Sequence, residues 1–309
     1  MHQPGVVPLR PLTVGDMFGA ALRTMRRNPE ATLGLAVLLL ALFLVPSLLA
    51  SVALARTAVL SQLDVEVLTA LLPAVLASLA AYALSGFVVY VVSEAALGTR
   101  AGIGDTWRAV RGRIPAMIGV FLMTSTVVVL ATAVMLLLVG LVVVLEEALG
   151  VAATVLLVVL LLLLTVPLLM WLTVRLAFGV VVVVLERVGP LRGIARSWRL
   201  TSGWQALRVL GILILASLVT GTFSLMVSGP VGLVVVGLTT QLVTDPQLQL
   251  TLTVIADHLV QLVVNAVTTP FTAGVTALLY LDQRIRREGL NLAMTRAAQE
   301  RAARSAGRR

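Results

Sequence analysis

The chain has 309 residues, 59% of them hydrophobic and 12% charged, with a mean hydropathy of +1.06. A soluble domain averages about 45–50% apolar and about 25% charged residues, so this composition excludes the soluble globular class. The net charge of +9 comes entirely from arginine, and the absence of cysteine excludes a disulfide, a thiolate metal site and a thiol nucleophile.

A pI of 11.5 alone would suit nucleic acid. The arginines, however, flank hydrophobic runs, where basic residues mark the cytoplasmic face and meet anionic lipid. Membrane lipids with anionic headgroups on that side are therefore the expected partners, and nucleic acid is not. Arginine without lysine, among abundant Ala, Val and Leu, is consistent with a GC-rich bacterial genome.

Pro4, Pro8 and Pro11 make residues 1–12 an extended lead-in. Residues 1–30 form a cytoplasmic segment too long and polar to read as a cleaved signal. Thr13 and Asp16 have capping-box spacing, and Val14, Met17, Phe18, Ala21, Leu22 and Met25 share a broad face of the helix that follows. Arg23, Arg26 and Arg27 sit near its end, where cations suit the helix dipole, and Asn28-Pro29 breaks it. Span 1 covers about 31–54, with Pro46 as a kink.

A polar loop over 56–66 leads to span 2, about 67–92. Ala74, Ala77, Ala81 and Ser85 recur there at helical spacing, either a face for close helix approach or alanine-rich filler. In the second basic connection, 93–115, Gly104-Asp105-Thr106-Trp107 lines up with Gly15-Asp16-Met17-Phe18. Arg108, Arg111 and Arg113 follow it. Span 3 is about 116–145, Glu146 and Glu147 mark a turn, and span 4 is about 151–178.

The apolar run containing span 4 continues to residue 186 with Arg175 as its one internal charge, whereas about 20 residues cross a bilayer. It is expected either to tilt steeply or to break near Pro167 or Gly179. Arg175 then lies near the inner boundary, anchoring the helix by snorkelling or by pairing with Glu186.

Residues 189–204 are the best-defined amphipathic unit. Leu191, Ile194, Ala195 and Trp198 share one face, with Arg192, Arg196 and Arg199 beside them. Such a helix suits the membrane–water interface, where guanidinium groups meet lipid phosphate. Phe18, Trp107 and Trp198 align at intervals of 89 and 91 residues. The fold expected is therefore an all-α integral membrane protein of six transmembrane helices. They form three hairpins, each preceded by a basic amphipathic interfacial helix. Arg108, Arg111, Arg192, Arg196, Trp198 and Arg199 are the candidate headgroup residues.

Span 5 covers about 205–228, and 229–256 reads as the longest loop. Within it, 231–243 is apolar but short, and 247–253 alternates like a strand without a partner. Span 6, about 257–281, carries a stripe of Gln261, Asn265, Thr268, Thr272 and Thr276, with His258 near its outer end. A matching row in span 5 is Ser217, Thr220, Ser224 and Ser228. The six spans make a membrane domain over 31–281, and 282–309 form a basic tail. Twenty-one of the twenty-three arginines fall in the lead-in, the two basic connections and the tail, so both termini are expected in the cytoplasm.

At residues 192–204, at Asn28-Pro29, and from Pro270-Phe271-Thr272 through Leu279-Tyr280-Leu281-Asp282 to Gly289, the chain resembles a known family. This is the membrane domain associated with glycerophosphoryl diester phosphodiesterases, in its stand-alone actinobacterial form. The resemblance spans residues 11–291 and implies six spans with interfacial helices, without the catalytic barrel that some relatives carry.

Within the spans there are no paired carboxylates, and a single histidine near a boundary does not make a hydrolytic centre. No catalytic residue, cofactor or metal site is expected. The function expected is a non-catalytic cell-membrane module, a scaffold or regulator engaging lipid or a protein partner through its arginine-rich helices. The alternative is a transporter or lipid-handling protein with a polar path between spans 5 and 6.

Overall fold

The computed structural model describes residues 11–55, 62–96 and 98–288; the proline-rich start of the lead-in, the beginning of the 56–66 loop and the basic tail beyond 288 lie outside them. The chain is all-α, with no strand among the described residues. Six helices are long and apolar enough to cross a membrane: Glu30–Leu54, Leu71–Ala96, Ile103–Val144, Val151–Leu185, Gln205–Leu242 and Pro246–Glu288. The protein is thus a multi-pass membrane protein.

The helices are α1 (Val14–Arg27), α2 (Leu35–Ala55), α3 (Gln62–Ala96), α4 (Ile103–Val110), α5 (Ile114–Val144), α6 (Glu146–Leu149), α7 (Val151–Leu176), α8 (Gly179–Leu185), α9 (Pro190–Leu200), α10 (Gln205–Leu242) and α11 (Pro246–Glu288). They fall into two compact units, one of Met1–Ile114 with Ile214–Arg309 and one of Pro115–Leu213.

In the first unit α2, α3 and α11 pack together, and α1 lies against α11 and α3. Thr13 and Asp16 form the capping box their spacing predicts: the Asp16 N–H donates to the Thr13 hydroxyl (3.1 Å) and the Thr13 N–H to Asp16 Oδ2 (3.0 Å). Met17, Ala20, Ala21 and Met25 are buried, while Arg23, Arg26 and Arg27 are exposed. A Cβ placed on Gly274 would stand 3.2 Å from the Ala21 Cβ, so the glycine lets α1 settle closely on α11.

Asn28 ends α1, with its backbone N–H and its side-chain amide both donating to Thr24 O. A π-helical turn, Glu30–Gly34, then feeds α2, and the Thr32 hydroxyl donates back to Asn28 O (2.7 Å). The buried face of α3 is Ala80, Leu84, Phe87, Val88 and Val91. Ala74 is exposed and Ala77, Ala81 and Ser85 are only half-buried, so the small-residue row is not the face that packs.

The stretch 229–256 is not a loop. α10 runs through it to Leu242, and α11 begins at Pro246 after a turn of three residues. Proline at the first helical position forfeits no intrahelical bond, and Asp245 Oδ1 accepts from the Gln247 N–H (2.9 Å). Gln249 Nε2 reaches across to Thr239 O and Val243 O (3.3 and 2.5 Å), tying the two helix ends. The strand-like alternation at 247–253 is helical: the hydroxyls of Thr251 and Thr253 donate to Gln247 O and Gln249 O. At about 1.5 Å per residue the 43 residues of α11 extend about 65 Å, against a hydrocarbon core about 30 Å thick.

In the second unit the continuous run after residue 150 is broken at Ala177–Phe178, between α7 and α8. The break lies beside Gly179, and Pro167 sits inside α7. The first turns of α5 pack against α8 and α9: a Cβ on Gly119 would meet Pro190 at 2.9 Å, and one on Gly179 would meet Val120 at 2.9 Å. The most apolar stretches of the helices spanning 103–144 and 151–185 bury no residue, as helices facing lipid do.

Asp282 secures the start of the described chain to the end of α11. Fully buried, it accepts from the Leu12 N–H (2.8 Å) and from Arg286 Nε (3.0 and 2.9 Å). Removing one side of a buried charged pair costs about 3–5 kcal/mol. Asp282→Ala should therefore lower the unfolding midpoint of the detergent-purified protein clearly, and Asp282→Asn, which keeps an acceptor for Leu12, should lower it less. Equal midpoints for wild type and Asp282→Ala in a thermal melt would refute the role of this contact.

Candidate membrane-interface site

The site grows from the break between α7 and α8. Where a helix is interrupted, its backbone N–H and C=O groups lose their intrahelical partners and must find others. Ser197 of α9 supplies both: its hydroxyl donates to Arg175 O (2.7 Å) and accepts from the Phe178 N–H (3.1 Å). Ser197 is fully buried, so no water substitutes for it.

α9 can come this close because its contact surface is small. A Cβ on Gly193 would lie 2.7 Å from Val183 Cγ2 and 3.2 Å from Gly179 O. Gly193, Ser197 and Leu200 are the buried face of α9. The face formed by Leu191, Ala195 and Trp198 is exposed, with Leu191 69% accessible, and Ile194 lies between the two. The small-residue face thus holds α9 to the protein, and the apolar face with Arg192 and Arg199 beside it is left open. Trp204, just beyond, is 86% accessible.

Arg175 closes the other end. Its Nη1 donates to Trp198 O (3.2 Å) and Thr201 O (2.9 Å), carbonyls of the last turn of α9, where a cation suits the dipole. The guanidinium lies over the rings of Trp171 and Trp198, 5.0 and 5.2 Å from their centroids. The rings meet edge to face at 5.1 Å. Cation–π contacts are worth about 0.5–1 kcal/mol when exposed and about 2 when desolvated. The pairing of Arg175 with Glu186 is replaced: Glu186 accepts from Arg196 (3.1 Å), and Arg175 turns to the backbone of α9.

The three amphipathic helices share one contact. Phe18 of α1 meets Phe271 of α11 at 5.4 Å, Trp107 of α4 stacks on Phe87 of α3 at 5.8 Å, and Trp198 of α9 meets Trp171 of α7. These are the three aromatic positions aligned in the sequence. For α4 and α9 the partner is the second helix of the preceding hairpin, and for α1 it is the last helix of the chain.

The other sequence candidates belong to the first unit and have partners and surroundings of their own. Arg108 is exposed and held within α4 by Asp105 (2.6 Å) and Gly104 O, and Arg111 lies exposed on the short 3-10 turn after it. Along α11, Gln261, Asn265, Thr268, Thr272 and Thr276 are half-buried. The three threonine hydroxyls donate to Val264 O, Thr268 O and Thr272 O of their own helix. On α10, Thr220 and Ser228 likewise donate to Ala216 O and Ser224 O. No hydrogen bond joins the two rows among the described residues.

His258 is buried rather than at a surface boundary. Nδ1 faces Val254 O (2.8 Å), which can only accept, so Nδ1 donates there, and Nε2 shares a hydrogen bond with the Ser47 hydroxyl (3.1 Å). Ser197, Gly193, Trp171 and the His258–Ser47 pair escaped the sequence reading. The one available signal was the pairing of glycine and serine four residues apart on α9.

Residues 12–283 match the model of a family described as a domain of unknown function, DUF7847, and the chain belongs to that family. No curated protein and no solved structure matches the chain.

Ser197→Ala should leave Arg175 O and the Phe178 N–H unpaired, at about 1–3 kcal/mol for each buried group. Gly193→Val should cost more, because its side chain would enter the space of Val183 and Gly179. Thermal unfolding followed by tryptophan fluorescence should rank wild type above Ser197→Ala and Ser197→Ala above Gly193→Val; unchanged midpoints would contradict the docking described.

Proposed function

We propose that the protein is a non-catalytic module of the cell membrane, with both termini in the cytoplasm. It holds anionic phospholipid, and through that surface a protein partner, at its arginine-rich interfacial helices. The observation that carries this reading is the way α9 is docked. Its glycine–serine face is used against the protein, and its Leu191, Ala195 and Trp198 face stays open beside Arg192 and Arg199. That is the arrangement by which an amphipathic helix meets acyl chains and headgroups together.

The non-catalytic part is supported by two carboxylates that serve structural contacts. Glu186 is paired with Arg196 and Asp282 with Arg286, both in contacts that hold helices in place. A transport path between α10 and α11 is the weaker alternative, because the threonines of the α11 stripe spend their hydroxyls on their own helix.

The test is to purify the protein gently and identify its bound lipids and proteins by native mass spectrometry. Wild type should retain phosphatidylglycerol over phosphatidylcholine, and Arg192→Gln with Arg199→Gln should reduce that retention several-fold. Gln261→Leu with Asn265→Leu should leave it unchanged. Equal retention by the arginine variant would sink the proposal, and solute flux into liposomes lost only in the Gln261/Asn265 variant would favour the path.

A further inference from the structure

A second basic site lies in the other unit, where the end of α1 meets the turn between α3 and α4. Arg27, Asn28, Ala95, Gly98, Thr99 and Arg100 line an open cavity of about 280 Å³. Its frame is stiff. Gly98, at φ +87°, closes α3 with the paired bonds of a Schellman motif: Gly98 N–H to Ala95 O (3.1 Å) and Thr99 N–H to Glu94 O (3.0 Å). The Thr99 hydroxyl is engaged by the Glu94 carboxylate (2.6 Å), so that acid is occupied beside the cavity. On the other wall Asn28 is buried and fixed to Thr24 O through one amide hydrogen, leaving it a second to donate.

The two guanidinium groups differ from the arginines that pair with carboxylates. Arg196, Arg284, Arg286 and Arg108 each pair with a carboxylate. Arg27 and Arg100 are exposed and bond to no other described residue. Two unpaired cations sharing one small cavity repel each other until an anion sits between them, and arginine's planar fork matches phosphate oxygens.

We propose that this cavity binds a phosphate group, clamped by Arg27 and Arg100 with the Asn28 amide as a third donor. The group can come from a phospholipid headgroup or from free phosphate. The site is independent of the α9 surface and stands whether or not Arg192 and Arg199 hold lipid.

The full-length protein in a non-ionic detergent is titrated calorimetrically with inorganic phosphate, alone and after addition of phosphatidylglycerol. The expected result is saturable binding to one site per chain, weakened about tenfold or more by Arg27→Gln or Arg100→Gln, as for loss of a charged clamp. Arg26→Gln, which removes the same charge from the same turn outside the cavity, should change the affinity by less than about twofold. Competition by phosphatidylglycerol assigns the cavity to a lipid headgroup, and its absence assigns it to free phosphate. Arg100→Lys keeps the charge and should bind more weakly than wild type and more tightly than Arg100→Gln, with an unchanged thermal midpoint showing that the fold persists. The proposal is overturned if wild type shows no saturable binding, or if Arg26→Gln costs as much as Arg27→Gln and Arg100→Gln.

Discussion

A backbone buried inside the protein has no water to satisfy an interrupted helix, and this constraint governs the break between α7 and α8 and both ends of α1. At the break between α7 and α8, one serine hydroxyl from α9 answers a carbonyl and an amide at once. At the end of α1, Asn28 and Thr32 answer Thr24 and each other across the π-helical turn. At the entry to α1, a carboxylate from the far end of the chain receives the Leu12 amide. The first and third of these repairs are also tertiary contacts. The groups that make the breaks tolerable are the groups that hold the short helices in place.

The aromatic contacts add direction to that scheme. Phe18, Trp107 and Trp198, on α1, α4 and α9, each rest on an aromatic ring of a long helix. An aromatic pair is worth about 0.5–1.5 kcal/mol beyond the area it buries, enough to orient a short helix that glycine and serine have already brought close. On α9 this orientation settles which face is committed to the protein and which is left exposed. Arg175 strengthens the arrangement by holding the last carbonyls of α9 beneath the two tryptophans.

Much of this was legible in the residues. Apolar runs of about 20 or more residues mark the spans, and Thr13 with Asp16 marks the cap of α1, because both depend on local chemistry alone. The spacing of Phe18, Trp107 and Trp198 marked the three short helices for the same reason. The readings that failed depend on packing. The stretch 229–256 reads as a loop in the sequence, yet α10 continues through its Gly229, Pro230 and Gly232 to Leu242. Proline and glycine break helices less readily where lipid offers the backbone no alternative partner. With α11 starting at Pro246 instead of 257, His258 moves from a helix end to an interior turn facing Ser47. The docking face of α9 was hidden because amphipathicity points to the most apolar side. In lipid the small residues pack inward and the apolar side faces the acyl chains.

The central claim is therefore the orientation of α9, and the cysteine-free chain allows it to be measured directly. Nitroxide labels on single cysteines at 191, 192, 195, 197, 198 and 199, in protein reconstituted into phosphatidylglycerol-containing bilayers, report collision with lipid-soluble oxygen and with a water-soluble nickel chelate. Oxygen should reach 191, 195 and 198, the chelate should reach 192 and 199 more readily, and both should be excluded from 197. Protection of 191, 195 and 198 together with free access to 197 would mean that α9 is docked by its apolar face, and the account of the interface would be wrong.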